Sequence, residues 1–399
     1  MRIDFQRRVD RLVGVPVCRL LSLLPRATDR AHLAPPPRKI LVILLSEMGS
    51  LVLAQPMFAR LHKKYPDASL HALVFQQNKE VLDLLEAVPE ENVFTIRNGS
   101  LSALMKDALG AVRSLRRRGI DTVIDCELFS RVSAILSLLT GARRRAGFDR
   151  HTQEGLYRGD FINRPVLYNP YQHIARQFLT LVEAVDGSGM PMVKRSLEED
   201  RVAIEPLRTR EGEIEAMRLR IESDFPHTRG ARLVLVYPGG GLLPIRAWPL
   251  TSFQELVRGL VARGFVVGII GLLEDRALAR EIRERCGVER TIDFTGYTGT
   301  VRDLMLLFHL AELLVTNDGG PGHFAAMTPI RSIVLYGPES PVLYGSLDER
   351  STHFYANLSC SPCLTAYNHR NSPCDGDNQC LKVIRPEDVL ERAIRLLSG

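Results

Sequence analysis

Val315-Thr316-Asn317-Asp318-Gly319-Gly320-Pro321-Gly322-His323-Phe324-Ala325-Ala326 joins a strand end, a glycine turn and a helix start in one short segment. The mostly apolar run 311–315 predicts a strand. It breaks into Asn-Asp-Gly-Gly-Pro-Gly, and an apolar, helix-like segment opens at His323. A strand that ends in glycines and enters a helix aims several backbone N–H groups, and the positive end of the helix dipole, at one point. That is a place to hold a diphosphate. The loop is neither a GxGxxG turn nor a lysine-bearing P-loop, so dinucleotide oxidoreductase and ATPase chemistry are not supported.

The same device occurs earlier. Residues 233–237, Leu-Val-Leu-Val-Tyr, read as a buried strand and lead into Pro238-Gly239-Gly240-Gly241, then Arg246, Trp248, Pro249 and a helical stretch over 252–263. Two such turns in one half of a βα-repeating chain fall at the carboxyl edge of one parallel sheet, where open α/β folds bind ligands. Arg246 is then placed to supply the cation a leaving phosphate needs. Taken singly, either loop also reads as an ordinary tight βα turn.

A βα rhythm runs through most of the chain. Strands are expected at 40–45, 70–75, 92–96 and 121–125, with a Met48-Gly49-Ser50 turn after the first and helices between. A second set is expected near 233–237, 266–270, 291–294, 312–316 and 332–336. Strands alternating with helices of this length imply parallel sheets covered on both faces. The charged, weakly periodic stretch 186–229, with Gly187-Ser188-Gly189 at its start, reads as an interdomain region. The expected organisation is a basic segment and proline linker over 1–38, a first α/β domain over 39–185, and a second α/β domain over 230–399 with a cysteine-rich loop at 360–380. Two doubly wound α/β domains facing across a cleft is the predicted architecture.

The 399 residues are 45% hydrophobic and 25% charged, a soluble globular composition long enough for two full cores. The net charge of +6 is concentrated at the start, where residues 1–38 hold eight arginines and three aspartates. The remainder is near neutral, which argues against a nucleic-acid partner. Phe5, Val9, Leu12, Val13, Leu20, Leu21 and Leu24 recur at near-helical spacing with arginines between them. The run 12–24 contains Arg19 and Pro16 and is too short to span a bilayer. It also lacks a signal-peptide cleavage site. A basic amphipathic segment fits a membrane interface, with a helix packed on the protein's own surface as the alternative. Ala34-Pro35-Pro36-Pro37 makes a stiff linker. The expected location is cytoplasmic, at most touching the membrane surface through this segment, with reduced cysteines.

From about Lys39 to its C-terminus the chain resembles the glycosyltransferase family 9 heptosyltransferases, which have the two-domain GT-B fold. Asn317 to His323 is similar to the family's Asp-(Thr/Ser)-Gly-x-x-His donor loop, with Gly319 where the family has a hydroxyl. Arg246-Ala247-Trp248-Pro249 resembles its Lys-Arg-Trp-Pro segment, Gly271-Leu272-Leu273-Glu274 its Gly-x-x-Glu near the nucleoside, and Tyr336-Gly337-Pro338 its Phe-Gly-Pro. The resemblance implies inverting transfer of a sugar, typically a heptose from ADP-heptose, onto a lipopolysaccharide core or related lipid-linked acceptor. It assigns donor contacts to Gly239, Gly240, Arg246, Glu274, Asp318, Gly319, Gly320, Pro321 and His323. A single displacement of this kind requires no cofactor.

The family turn after the first strand carries an aspartate as its proposed base, and here Ser50 takes that position. A hydroxyl without a basic partner cannot accept a proton at neutral pH, so Glu47 on the same turn is the candidate, with another carboxylate or histidine as the alternative. Glu47 also reads as a solvated turn carboxylate. Gly49 and Arg144, the latter within Arg143-Arg144-Arg145, are candidate acceptor contacts, although charge runs more often form solvated faces. Cys360, Cys363, Cys374 and Cys380 admit a structural zinc site, but the second CxxC that would make the pattern specific is missing. Asp375-Gly376-Asp377 lies inside that loop and is not read as a catalytic metal site. Rival readings are a sugar-nucleotide epimerase of the same shape and a non-catalytic relative that binds a nucleotide sugar.

Overall fold

The computed structural model describes residues 3–23, 35–45, 47–150, 156–187, 202–368 and 370–398, with side chains described from residue 7 onward. Phe5's side chain, Leu24, Ala34, Ser46, Ser188, Gly189 and His369 lie outside the described part. The chain divides into two compact units, Met1–Val202 with Ala366–Arg370, and Ala203–Thr365 with Asn371–Gly399.

In the first unit, β1 (Lys39–Ile43), β2 (Ser69–Phe75), β3 (Val93–Ile96), β4 (Thr122–Asp125), β5 (Arg144–Asp149) and β6 (Arg164–Leu167) form a parallel sheet in the order β3-β2-β1-β4-β5-β6. In the second, β7 (Leu233–Tyr237), β8 (Val266–Gly271), β9 (Thr291–Thr295), β10 (Leu313–Asn317), β11 (Arg331–Tyr336) and β12 (Ser351–Tyr355) form a parallel sheet in the order β12-β11-β10-β7-β8-β9. Both are doubly wound α/β units. Continuous apolar runs such as Leu-Val-Leu-Val-Tyr exist because helices cover both faces of a parallel sheet.

Three strands carry no apolar run. β12 (Ser-Thr-His-Phe-Tyr) lies at the edge of its sheet, where one side of the strand meets no neighbour. β5 opens with two arginines, and β6 opens with a third followed by a proline. Arg145 is buried yet satisfied: its Nε donates to Phe161 O at 2.6 Å and its backbone N–H donates to Asn163 Oδ1 at 2.9 Å. The charged stretch before β7 is structured as well. Helix Glu213–Asp224 buries only Met217 and Ile221 and packs on helix Val301–Phe308, while Leu207 N–H donates to Met327 O at 2.8 Å.

A buried ion pair organises the end of β4. Asp125 and Arg158 are both wholly inaccessible and bonded to one another, and Arg158 also donates to Glu127 O (2.9 Å), Phe148 O (3.2 Å) and Ser133 Oγ (2.9 Å). Removing one member strands the other charge in an apolar interior. Arg158→Ala is therefore expected to destabilise the protein by about 3–5 kcal/mol, and the double change with Asp125→Ala by less, measured as urea-unfolding midpoints.

Candidate functional site

β10 pairs with β7 from Leu313↔Val234 to Thr316↔Tyr237, so the two glycine turns leave the sheet side by side at its carboxyl edge. Asn317 binds them together. Its side chain is fully buried; Nδ2 donates to Gly239 O at 2.9 Å and Pro238 O at 3.2 Å, and Oδ1 accepts from Trp248 N–H at 2.9 Å. Trp248 is held in turn by Nε1 donating to Ile384 O at 3.1 Å and by an edge-on contact with Phe253.

This frame fixes Arg246, which ends the short turn Pro244–Arg246 and is only 6% exposed. Its guanidinium donates to Glu339 Oε1 at 2.9 Å and lies 3.6 Å from Asp318 Oδ2. Glu339 follows Tyr336-Gly337-Pro338 at the end of β11, so three loops meet on one buried cation. The sequence reading missed Glu339; its one signal was a glutamate directly after the Tyr-Gly-Pro that ends a strand. Arg246 is thus a charge shared with two carboxylates rather than a lone cation. Burial holds the Tyr336 phenol beside this cluster well above its usual range, with the Asp318 charge adding to it.

The glycines differ in what they require. A Cβ on Gly240 would sit 2.8 Å from Pro244 Cα and 2.9 Å from Leu243 O, so the backbone approach there demands glycine. Gly319 is extended (φ 161°) and a Cβ on it would meet nothing within 4 Å. Gly320, Pro321 and His323 lie in helix Gly320–Ala325, with His323 buried. Glu274 is exposed in the turn Leu273–Asp275 after β8, beside exposed Leu272 and Leu273. β8 neighbours β7, so Glu274 shares the edge that carries the two loops. Burial, with Asp275 nearby, pushes the Tyr237 phenol up to about 12.

In the first unit, the turn after β1 is held at Leu45: its N–H donates to Glu127 Oε1 (2.7 Å) and its carbonyl accepts from Asn78 Nδ2 (2.9 Å). Helix Met48–Leu53 follows, with Gly49 buried and Ser50 N–H donating to Glu47 O at 3.0 Å. The Glu47 carboxylate is paired with Arg370, whose carbonyl accepts from Arg7 Nη1 at 3.2 Å. Beside Arg370 in the chain, Tyr367 stacks on Phe129 with centroids 6.1 Å apart and meets Tyr168 edge-on at 5.6 Å. These contacts make residues 366–370 part of this unit. Sequence separation hid Arg370 as the partner of Glu47. Gly49 and Arg144 are not brought together. Gly49 follows the carboxyl end of β1, whereas Arg144 opens β5 in register with Thr122 at the amino edge and is 6% exposed.

Of the four loop cysteines, Cys380 is buried against Gly337, Cys363 is half-buried, and Cys360 and Cys374 are exposed. Burial raises the Cys380 thiol, with the charges of Cys363, Cys360 and Cys374 adding to it. Ser372 Oγ donates to Cys363 Sγ at 3.0 Å. Among the described residues no group of three or more His, Cys, Asp or Glu side chains is arranged to hold a metal ion. The zinc expectation thus rests on spacing alone.

Two doubly wound domains with paired glycine turns at one sheet edge define a GT-B glycosyltransferase, and the comparisons agree. The model of glycosyltransferase family 9 (heptosyltransferase) matches residues 109–372, and the chain belongs to that family. It is 25% identical over 369 residues to lipopolysaccharide heptosyltransferase 2 of Salmonella typhimurium, covering 90% of this chain and 99% of the relative. Lipopolysaccharide heptosyltransferase 3 of Escherichia coli K12 is 24% identical, with 88% and 95% covered. Among solved structures, the E. coli ADP-heptose lipopolysaccharide heptosyltransferase II superposes with a TM-score of 0.69 at 22% identity, over 90% of this chain and 98% of that one. An E. coli heptosyltransferase solved with ADP gives 0.62 at 15% identity, over 90% and 99%. The protein is an enzyme of the heptosyltransferase type.

Because Asn317 satisfies Trp248 N–H and Gly239 O inside the protein, Asn317→Ala leaves both buried and unpaired. It is expected to cost about 2–5 kcal/mol, seen as a lower unfolding midpoint in urea.

Proposed function

We propose that this enzyme transfers a heptose from ADP-heptose, with inversion, to a lipopolysaccharide core or related lipid-linked glycan. The observation that carries the reading is the family-9 donor loop 317–323 converging with Arg246 on one buried cluster at the carboxyl edge of the second sheet. In this scheme the diphosphate lies against the backbone N–H groups of Gly319, Gly320 and Gly322, with Arg246 as the nearest cation. Pre-aimed donors of this kind act on the charge that develops as ADP departs. The acceptor hydroxyl attacks the anomeric carbon, its C–O bond forms as the bond to the diphosphate breaks, and its proton passes to the Glu47 carboxylate. Arg370 orients that carboxylate. Gly239, Gly240, Glu274, Asp318 and His323 complete the donor side, and Gly49 the acceptor side.

Thermal shift with ADP, UDP, GDP, CMP and ADP-heptose tests the donor class. Selective stabilisation by the adenine ligands, about 2.7 kcal/mol at a hundredfold excess over Kd, is the expected result. A response to another nucleotide replaces heptose as the sugar, and no response removes the donor-loop reading. Gly319→Ser adds the hydroxyl that relatives carry, in a position with room for it. It is expected to leave the unfolding midpoint unchanged and tighten ADP-heptose binding about 2–10-fold, the worth of one hydrogen bond. Glu47→Gln is expected to lower kcat about 10²–10⁴-fold while ADP-heptose still binds; an unaltered rate takes Glu47 out of the mechanism.

A further inference from the structure

Helices Ile3–Leu12 and Gly14–Leu21 pack on the first unit through a narrow inner side. Cys18 is fully buried against Ala134 and Phe161. Gly14 lies so close to Arg131 that a Cβ there would sit 2.8 Å from Arg131 Cβ. Asp10 accepts from the backbone N–H groups of Arg131 and Val132, each at 3.0 Å, and pairs with the Arg131 side chain. The segment's one described acid is therefore turned inward.

The outer side has a different chemistry. Every exposed position between 7 and 23 is either an arginine (Arg8, Arg11, Arg19) or apolar. Leu12, Leu20 and Leu23 are 72%, 67% and 81% exposed. Both N-terminal helices rest on helix Arg131–Leu139, which has no exposed residue, and helix Leu101–Arg118 packs against that same helix. Helix Leu101–Arg118 also bares an apolar stripe, Leu101, Met105 and Leu109, spaced four residues apart on one face. Its exposed charges are Lys106, Arg113, Arg116 and Arg117, while Asp107 is tied to Arg97.

We propose that this side of the first unit docks on an anionic lipid bilayer. Leucines enter the headgroup boundary and arginines meet lipid phosphates, the pattern of an interfacial helix rather than a spanning one. Among the described residues no helix is long and apolar enough to cross a membrane. A second copy of the chain fits the surface poorly, because it would bring seven exposed cations against seven with no exposed acid on either helix set between them. The inference is independent of the donor and acceptor assignments, since it concerns a surface remote in sequence from every donor-loop residue.

The test is co-sedimentation of the full-length protein with vesicles of phosphatidylcholine alone and with roughly one-third phosphatidylglycerol added. Binding is expected only to the anionic vesicles, and to fade in about 0.5 M salt. The exposed substitutions R8Q/R11Q/R19Q should weaken it about 100-fold, taking about 1 kcal/mol per arginine. L12Q/L20Q/L23Q and L101Q/M105Q/L109Q should each weaken it at least about tenfold, with unfolding midpoints unchanged. Equal binding to both vesicles, no binding by the folded wild type, or variants that bind as the wild type does overturns the proposal. Variants that convert a dimer to a monomer in light scattering, with vesicle binding unaltered, assign the face to a second copy instead.

Discussion

One buried amide side chain, that of Asn317, holds the carboxyl edge of the second unit together. It sits at the last residue of β10 and reaches backbone groups in two other segments, the Pro238–Gly239 turn and the start of the Trp248 helix approach. Each partner is buried, so none can turn to water if the amide is lost. The geometry of the two glycine turns is thereby coupled. Gly240 can approach Pro244 closely only because that turn is fixed, and Arg246 can reach Glu339 and Asp318 only because the Trp248 backbone is fixed.

The cluster around Arg246 changes what the site means electrostatically. A buried guanidinium between two carboxylates is pre-oriented, and its outward field is partly offset by its neighbours. In the proposed scheme the backbone N–H groups of the glycine loop would then carry more of the anion binding than a lone-cation picture assigns them.

The first unit is built by a different logic. Its turn after β1 is gripped by Glu127 and Asn78 at Leu45, and its carboxylate, Glu47, is met by Arg370 from the cysteine loop. The tyrosine two residues before His369 anchors that visit through aromatic packing on Phe129 and Tyr168. Basic strand starts in this unit, β5 and β6, are tolerated because Arg145 donates to the Phe161 carbonyl and Arg164 to the Asn163 carbonyl.

Sequence alone determined the parallel α/β class, most strands, the two glycine turns and their common edge, and the basic amphipathic character of the N-terminus. Those features are local: apolar runs, glycine placement and helical spacing are written in consecutive residues. Tertiary structure decided the partners. Glu339 joins Arg246 across 93 residues, Arg370 joins Glu47 across 323, and Arg144 is carried to the amino edge, away from Gly49, the other candidate acceptor contact. It also turned Asp10 inward, leaving arginine and leucine on the outer side of the N-terminal helices. Long-range ion pairs and strand polarity leave no periodic trace in a sequence, because they depend on which segments the fold brings into register.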